Sequence, residues 1–373
     1  MTQIVAITMP KWGLTMTEGK ILGWLKHEGD AVAASDELLE IETTKITNVM
    51  EAGETGTLRR IVAREGAVLP IGGLLAVVAP QEVAEADIDA FVAGFVTPEA
   101  AEGGEAESEA PAPQEVAAGN YRLRCLDLGS GDGPPVVFVH GFGADLNAWM
   151  FTQPVLAERH RTIALDLPGH GGSTKALSGP LDGSSFAADI DRALAALGID
   201  RMHLVGHSMG GAIALHFATW QSDRVASLSL IASAELGEEI NAAFIDGFVR
   251  MERRREAQEV LRLLVHDPDL ISRQMVEDVL RYKRLDGVGA ALTAIAAEWF
   301  PDGRQRTGLA ALVPSLTMPV QVIWGRDDRI IPVAHAEALQ GKVPVHILDN
   351  AGHLPQMEKS AEVNRLLARF IDG

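Results

Sequence analysis

Residues 203–218 read HLVGHSMGGAIALHFA, and the reading of this stretch decides the fold of most of the chain. His203-Leu204-Val205 is a short apolar strand, and Gly211-Ala-Ile-Ala-Leu-His-Phe-Ala opens a helix. Between them Gly206-His207-Ser208-Met209-Gly210 has the form G-x-S-x-G. The motif alone is weak evidence, and the strand before it and the helix after it make it specific. A strand, a sharp turn and a helix lift the Ser208 hydroxyl above the sheet in a strained bend. Side chains at Gly206 and Gly210 would collide in so tight a turn.

The same rhythm extends outward. β-rich runs at Val136–Val139, Thr162–Leu165, His203–Val205, Ser227–Ile231, Val320–Trp324 and Val345–Leu348 alternate with helical stretches. That alternation predicts a mostly parallel α/β sheet over residues 120–373. Residues 235–312 interrupt it with helical spacing, for example Phe244, Phe248 and Met251, then Val260, Leu261 and Leu264. This segment is expected to be a helical cap over the sheet edge. Cys125, the single cysteine, reads as a small apolar core residue in a strand.

A serine hydroxyl is a poor nucleophile at neutral pH and needs a base and an orienting acid. Trp324-Gly-Arg-Asp-Asp-Arg-Ile-Ile-Pro332 follows one strand and offers Asp327 and Asp328. Asn350-Ala-Gly-His-Leu-Pro355 follows the last strand and offers His353. An oxyanion needs donors as well. The backbone N–H of Met209 is one candidate, and the N–H of Phe142 in the early His140-Gly-Phe-Gly143 loop is the other.

Residues 1–79 have a different pattern, an internal repeat. With a shift of 37, Gly19, Ile21, Trp24, Leu25, Glu28 and Gly29 meet Gly56, Leu58, Ile61, Val62, Glu65 and Gly66, and, continuing without a gap, Val32, Leu38 and Ile41 meet Leu69, Leu75 and Val78. Self-similarity of this kind means one structural unit used twice. The units are short apolar alternations broken by glycine turns, so they predict two small sheets sharing one core. Lys45 lies between the halves, in Glu42-Thr43-Thr44-Lys45-Ile46-Thr47, at the expected tip of a hairpin.

The two parts are joined by an acidic segment. Residues 81–118 hold ten Asp or Glu and no Lys or Arg. Val83–Val96 has apolar spacing suited to a short helix, whereas Thr97–Gly119 is Ala, Glu, Pro, Gly and Ser. Residues 80–119 are therefore expected to be an acidic linker, whose 23-residue C-terminal part would be mobile and self-repelling and span about 25–30 Å as a flexible coil. Across the whole chain, 32 basic against 51 acidic residues give a net charge of −19. That balance argues against nucleic acid and anionic membranes as partners. One cysteine excludes a disulfide framework or multi-cysteine zinc site, so no metal is expected. No apolar run reaches the length of a transmembrane helix, and MTQIVAITMP does not resemble a secretory signal. The expected location is the cytoplasm.

On these motifs residues 120–373 resemble an α/β-hydrolase domain, and residues 1–79 resemble a lipoyl domain. The family spacing G-x-x-D from Gly325 selects Asp328 over Asp327 as the orienting acid. A biotin carrier has a related fold but usually flanks its lysine with methionines, unlike Thr44 and Ile46. The likeness extends to HGFGADLNAW (140–149), DLPGHGGS (166–173), EINAAFIDGFV (239–249) and RYKRLDGV (281–288). Together the two parts resemble the dihydrolipoyllysine-residue acetyltransferase components of acetoin-cleaving dehydrogenase complexes. No segment resembles the His-x-x-x-Asp-Gly motif of ordinary acyltransferase components.

The resemblance implies lipoic acid in amide linkage on Lys45 and coenzyme A as acceptor. It implies thiamine diphosphate-dependent acetoin dehydrogenase subunits and dihydrolipoyl dehydrogenase as partners. The implied reaction moves acetyl from S-acetyl-dihydrolipoyl-lysine to coenzyme A through Ser208, His353 and Asp328, with Phe142 and Met209 N–H groups holding the oxyanion. Two other readings stay open from the residues: a lipoyl-tethered serine hydrolase with water as acceptor, and a non-catalytic lipoyl carrier. Arg250, Arg253, Arg254 and Arg255 read as a solvated helix face paired with Glu252 and Glu256 rather than a phosphate site.

Overall fold

A computed structural model describes residues 4–10, 16–33, 36–43, 47–95, 111–306 and 308–373. The chain divides into two compact units, Met1–Ala110 and Pro111–Gly373.

The first unit holds eight strands: β1 (Val5–Thr8), β2 (Glu18–Trp24), β3 (Ala31–Val32), β4 (Glu37–Glu42), β5 (Thr47–Glu51), β6 (Gly56–Ile61), β7 (Val68–Pro70) and β8 (Leu74–Ala79). They form two four-stranded sheets, ordered β1-β8-β6-β3 and β5-β4-β2-β7. Moving each label by four turns one order into the other, so the sequence repeat is a structural one. The hydrogen bonds repeat too. Gly29 N donates to Leu58 O, and Gly66 N donates to Ile21 O, both at 2.8 Å. Gly29 and Gly66 both have positive φ, at 95° and 82°, which glycine adopts without strain. Ile21, Leu38, Ile41, Leu58, Leu75 and Val78 from both sheets are buried in one core. Burying each such side chain stabilises the unit by about 1.5–3 kcal/mol. Glu42 pairs with Thr47 in the β4–β5 hairpin. Lys45, between these two positions, lies outside the described residues.

The acidic stretch expected as a linker over 80–119 is structured at both ends. A helix spans Glu85–Gly94 and buries Ile88 against Leu74, Val77, Ala79 and Val83. Arg60 reaches Glu85 and Asp89 at 2.9 and 2.7 Å, and Arg59 donates to the carbonyls of Pro80 and Val83 at 2.9 and 3.0 Å. The acidic side chains are thus partners of first-unit arginines, so this helix belongs to the first unit. At the other end, Gln114–Ala118 forms β9 of the second unit, burying Val116 and Ala118.

The second unit has one eight-stranded sheet. Its strands are β9, β10 (Tyr121–Leu128), β11 (Val136–Val139), β12 (Thr162–Leu165), β13 (Met202–His207), β14 (Val225–Ile231), β15 (Val320–Gly325) and β16 (Val345–Leu348), in the order β16-β15-β14-β13-β11-β12-β10-β9. Strands β11 to β16 run parallel to their neighbours, and β10 and β9 are added antiparallel. Fully buried runs such as Val136–Val139 are what a sheet covered on both faces requires. Cys125 is buried in β10, and burial pushes its thiol up to about 11. Between β14 and β15 the described residues form only helices and turns, including Ala242–Arg250, Arg254–Leu261, Arg273–Lys283 and Val288–Trp299. The chain goes from β11 outward to β12 and returns to β13 on the other side of β11. The ends of β11 and β13 therefore make a topological switch point, where α/β sheets place ligands.

Leu58 is fully buried between the halves of the first unit. Leu58→Ala should destabilise that unit by about 2–5 kcal/mol. Amide hydrogen exchange should report the loss at Leu38, Ile41 and Val78 together, because they share one core.

Candidate active site

Ser208 sits where β13 ends and the helix Met209–Trp220 begins, with φ 54° and ψ −121°. A non-glycine residue in this conformation carries about 1–3 kcal/mol of strain and persists only when its surroundings over-determine it. Here they do. Ser208 N donates to Ile231 O, and Ser208 O accepts from Gly211 N and Ala234 N, each at 2.9 Å. The glycines around it are steric necessities. A Cβ at Gly206 would strike the Gly210 carbonyl, and one at Gly210 would strike the carbonyls of Val139 and His140. A Cβ at Gly141 would lie 2.9 Å from the Ser208 Cβ. The His140–Gly143 loop therefore passes directly over the serine.

The structure brings Ser208, His353 and Asp328 into one hydrogen-bonded chain. His353 Nε2 lies 3.0 Å from Ser208 Oγ, and His353 Nδ1 lies 2.8 Å from Asp328 Oδ2. With Nδ1–H donating to the carboxylate, Nε2 keeps a lone pair facing the serine hydroxyl. The other Asp328 oxygen, Oδ1, accepts from Ile330 N at 2.8 Å and Ile331 N at 2.9 Å. The side chain of Asp328 is wholly buried and that of His353 almost so. Asp327 points elsewhere, to His266 Nδ1 at 2.9 Å, and is partly exposed. The adjacent acids are thus separated by geometry.

Phe142 and Met209 flank the same place. Among the described residues neither of their N–H groups donates a hydrogen bond. Met209 opens a 12-residue helix, whose N-terminal end favours negative charge. The arrangement suits an oxyanion forming on a carbonyl attacked by Ser208. His140 holds the loop above. Its Nε2 accepts from Leu167 N at 3.0 Å, which leaves Nδ1–H to donate to Gly141 O at 2.8 Å. Phe142 packs edge-on against Phe248 and Phe300 of the cap, with ring centroids 5.8 and 5.9 Å away.

Three supporting residues were not singled out from the sequence. His207 donates from Nε2 to the His353 carbonyl at 2.8 Å, tying the His353 backbone to the serine turn. Burial pushes the imidazoles of His140, His170 and His207 down, that of His170 to about 3, so they add no cation beside His353. Glu358 accepts from His266 N at 2.6 Å and Gly352 N at 2.8 Å, which fixes the loop carrying His353. The only sequence signal for these residues was proximity to a motif.

Other candidates fall away from this centre. Arg254 pairs with Glu277 at 2.5 Å and Arg255 with Glu259 at 3.0 Å, while Glu256 accepts from the backbone of Glu252 and Arg253. This is a paired surface, with partners other than those expected. Ser184, His216 and Glu235 make a second Ser–His–Glu grouping, but Ser184 is exposed in the first turn of the helix Gly183–Ala196 and its Oγ is 3.4 Å from His216 Nδ1. Among the described residues no His, Cys, Asp and Glu cluster is arranged to hold a metal ion. None of the described helices is long and apolar enough to cross a membrane.

Burial pushes the Glu358 carboxyl up to about 7 against the N–H donors that oppose it. Folding therefore holds this proton more tightly than the unfolded chain does. The contribution favours the folded state below the ordinary value of 4.5 and is lost as pH rises through about 7. Glu358→Gln cannot titrate. Denaturant unfolding across this range should show the variant gaining stability relative to the parent as pH rises. A constant difference would show that Glu358 does not carry the proton.

The alpha/beta hydrolase fold family matches residues 134–360, and the biotin-requiring enzyme family matches residues 5–78. The dihydrolipoyllysine-residue acetyltransferase component of the acetoin cleaving system from Pseudomonas putida is 46% identical over 372 residues, covering 100% of this chain and 99% of its own. The component of the same name from Cupriavidus necator is 43% identical, covering 99% of this chain and 98% of its own. A solved meta-cleavage product hydrolase from Pseudomonas fluorescens is 24% identical with a TM-score of 0.63 over 69% of this chain and 97% of its own, a likeness of fold. With its N-terminal repeat, its serine turn and this full-length similarity, the chain belongs to the family of dihydrolipoyllysine-residue acetyltransferase components of acetoin cleaving systems.

Proposed function

We propose that this chain transfers an acetyl group from S-acetyl-dihydrolipoyl-lysine to coenzyme A, with Ser208 as nucleophile, His353 as base and Asp328 as orienting acid. The observation that carries the reading is the hydrogen-bonded Ser208–His353–Asp328 chain beside two N–H groups without acceptors, in a chain similar over its full length to named acetyltransferase components. Lys45 falls between paired strand ends of a two-sheet unit, which suits a lysine presented to other proteins. Lipoic acid in amide linkage there would supply the dithiol that carries acetyl as a thioester.

Ser208 Oγ attacks the thioester carbonyl and His353 Nε2 takes its proton. Asp328 steadies the imidazolium through Nδ1. The N–H groups of Phe142 and Met209 hold the oxyanion, and His353 returns the proton to the departing thiol. His353 then takes the proton of the coenzyme A thiol, which attacks the acyl-serine, and Ser208 recovers its hydroxyl proton as the bond breaks. A thiol is intrinsically the better nucleophile than water, and the helical cap limits the access of water to the ester. The partners on this reading are thiamine diphosphate-dependent acetoin dehydrogenase subunits and dihydrolipoyl dehydrogenase, in the cytoplasm.

With S-acetyl-dihydrolipoamide and saturating coenzyme A, the full chain should form acetyl-coenzyme A in excess over acetate. Acetate in excess, with a yield indifferent to coenzyme A, would make the protein a hydrolase. Ser208→Ala and His353→Ala should each lower turnover by about 10⁴-fold, with losses that do not add. Near-native turnover in Ser208→Ala would remove the serine mechanism. Treatment with lipoate ligase and lipoate should add one lipoyl mass to the parent and none to Lys45→Arg.

A further inference from the structure

Asn241 ties the cap to the turn that follows Asp328. Asn241 precedes the cap helix Ala242–Arg250 and closes its N-terminus, its Oδ1 accepting from Phe244 N at 3.0 Å. The same side chain donates from Nδ2 to Arg329 O at 2.9 Å. The Asn241 backbone N–H donates to Ile330 O at 2.8 Å. Arg329 and Ile330 follow Asp328 directly.

These two carbonyls belong to particular peptide planes. A trans peptide is planar, with its C=O and N–H pointing opposite ways. The plane that ends in Arg329 O presents Ile330 N–H on its other edge, and the plane that ends in Ile330 O presents Ile331 N–H. Both N–H groups donate to Asp328 Oδ1. Asn241 and Asp328 thus clasp two successive peptide planes from opposite edges. A hydrogen bond on the carbonyl edge fixes the tilt of the plane and polarises its N–H toward the carboxylate. Asp328 spends its other oxygen on His353.

We propose that Asn241 is a positioning residue, which sets the direction of the Asp328 carboxylate through these two peptides and thereby the alignment of His353 with Ser208. The inference rests on the serine reading above. It gives the Asn side chain two duties that can be separated: capping a helix needs an acceptor, and clasping the acid loop needs a donor.

Asn241→Asp keeps the acceptor and removes the donor, and Asn241→Ser keeps a short capping acceptor and, without adding charge, withdraws the Nδ2–H that reaches Arg329 O. Both variants are measured in the full chain with p-nitrophenyl acetate, which reports the serine centre whatever the natural acceptor. Both should lower kcat by about tenfold, in line with the cost of small misplacements of reacting groups, with KM changed by less than about twofold. Proton NMR in water should show the far-downfield His353 Nδ1 proton shifted or lost in both. In an Asp328→Asn background either substitution should add less than about a twofold loss, because the route through Asp328 is already cut. An unchanged kcat with the resonance in place, or an equal loss in the Asp328→Asn background, would overturn the proposal. Absence of acetyl-coenzyme A formation alongside the expected ester kinetics would remove the acetyl-transfer reading and leave this one standing.

Discussion

Much of the second unit is arranged around the backbone of one residue. Ser208 is held at φ 54° between a strand and a helix. No side chain can be placed at Gly206 or Gly210 while that turn is as tight as it is. The turn brings the helix Met209–Trp220 hard against the end of β11, so the loop that leaves β11 must pass over the serine without a side chain at Gly141. Strain at Ser208 is offset by its backbone hydrogen bonds with Ile231, Gly211, Ala212 and Ala234 and by the packing of the sheet beneath. The hydroxyl, the unpartnered N–H groups and the anion-favouring helix end are consequences of one turn.

The cap is more than a cover. It touches each of the three loops that carry the site. Asn241 binds the turn after Asp328, Leu264 O accepts the His353 N–H at 2.8 Å, and Phe248 packs on Phe142 and over Gly143. Each loop comes from a different strand end, and loops between such ends are the variable parts of an α/β fold. Fastening all three to one helical segment gives them a common reference. The buried histidines add rigidity without charge: His140 bonds backbone groups through both ring nitrogens, and His170 and His207 through one each.

The extent to which this was legible in the sequence follows from the range of the interactions. The strand rhythm, the repeat and the serine turn are local patterns, and each appears in the structure where the residues place it. Asp328 was separated from Asp327 by family spacing alone; the physical ground, two N–H donors against a partly exposed histidine pair, is visible only in three dimensions. His207, Asn241 and Glu358 make contacts across 146, 88 and 92 residues, beyond any local pattern. In the acidic segment the apolar spacing of Val83–Val96 marks the helix that appears at Glu85–Gly94, whereas the composition of the stretch after it hides Val116, a single apolar residue buried in strand β9. Lys45 was read from its place between the repeats and lies outside the described residues.

The paired hydrogen bonds of the first unit bear on how it reaches its fold. Gly29 in the first repeat is closed by Leu58 in the second, and Gly66 in the second by Ile21 in the first. Each half completes the turn of the other. A single repeat would have a turn without its acceptor and a hydrophobic face without its cover, so neither half completes its core alone. The shared core needs both halves, and bringing distant strands together costs entropy that its burial must offset. An ancestral half of this design would have had to pair with a second copy of itself, and covalent fusion of two copies turns that bimolecular association into an intramolecular one.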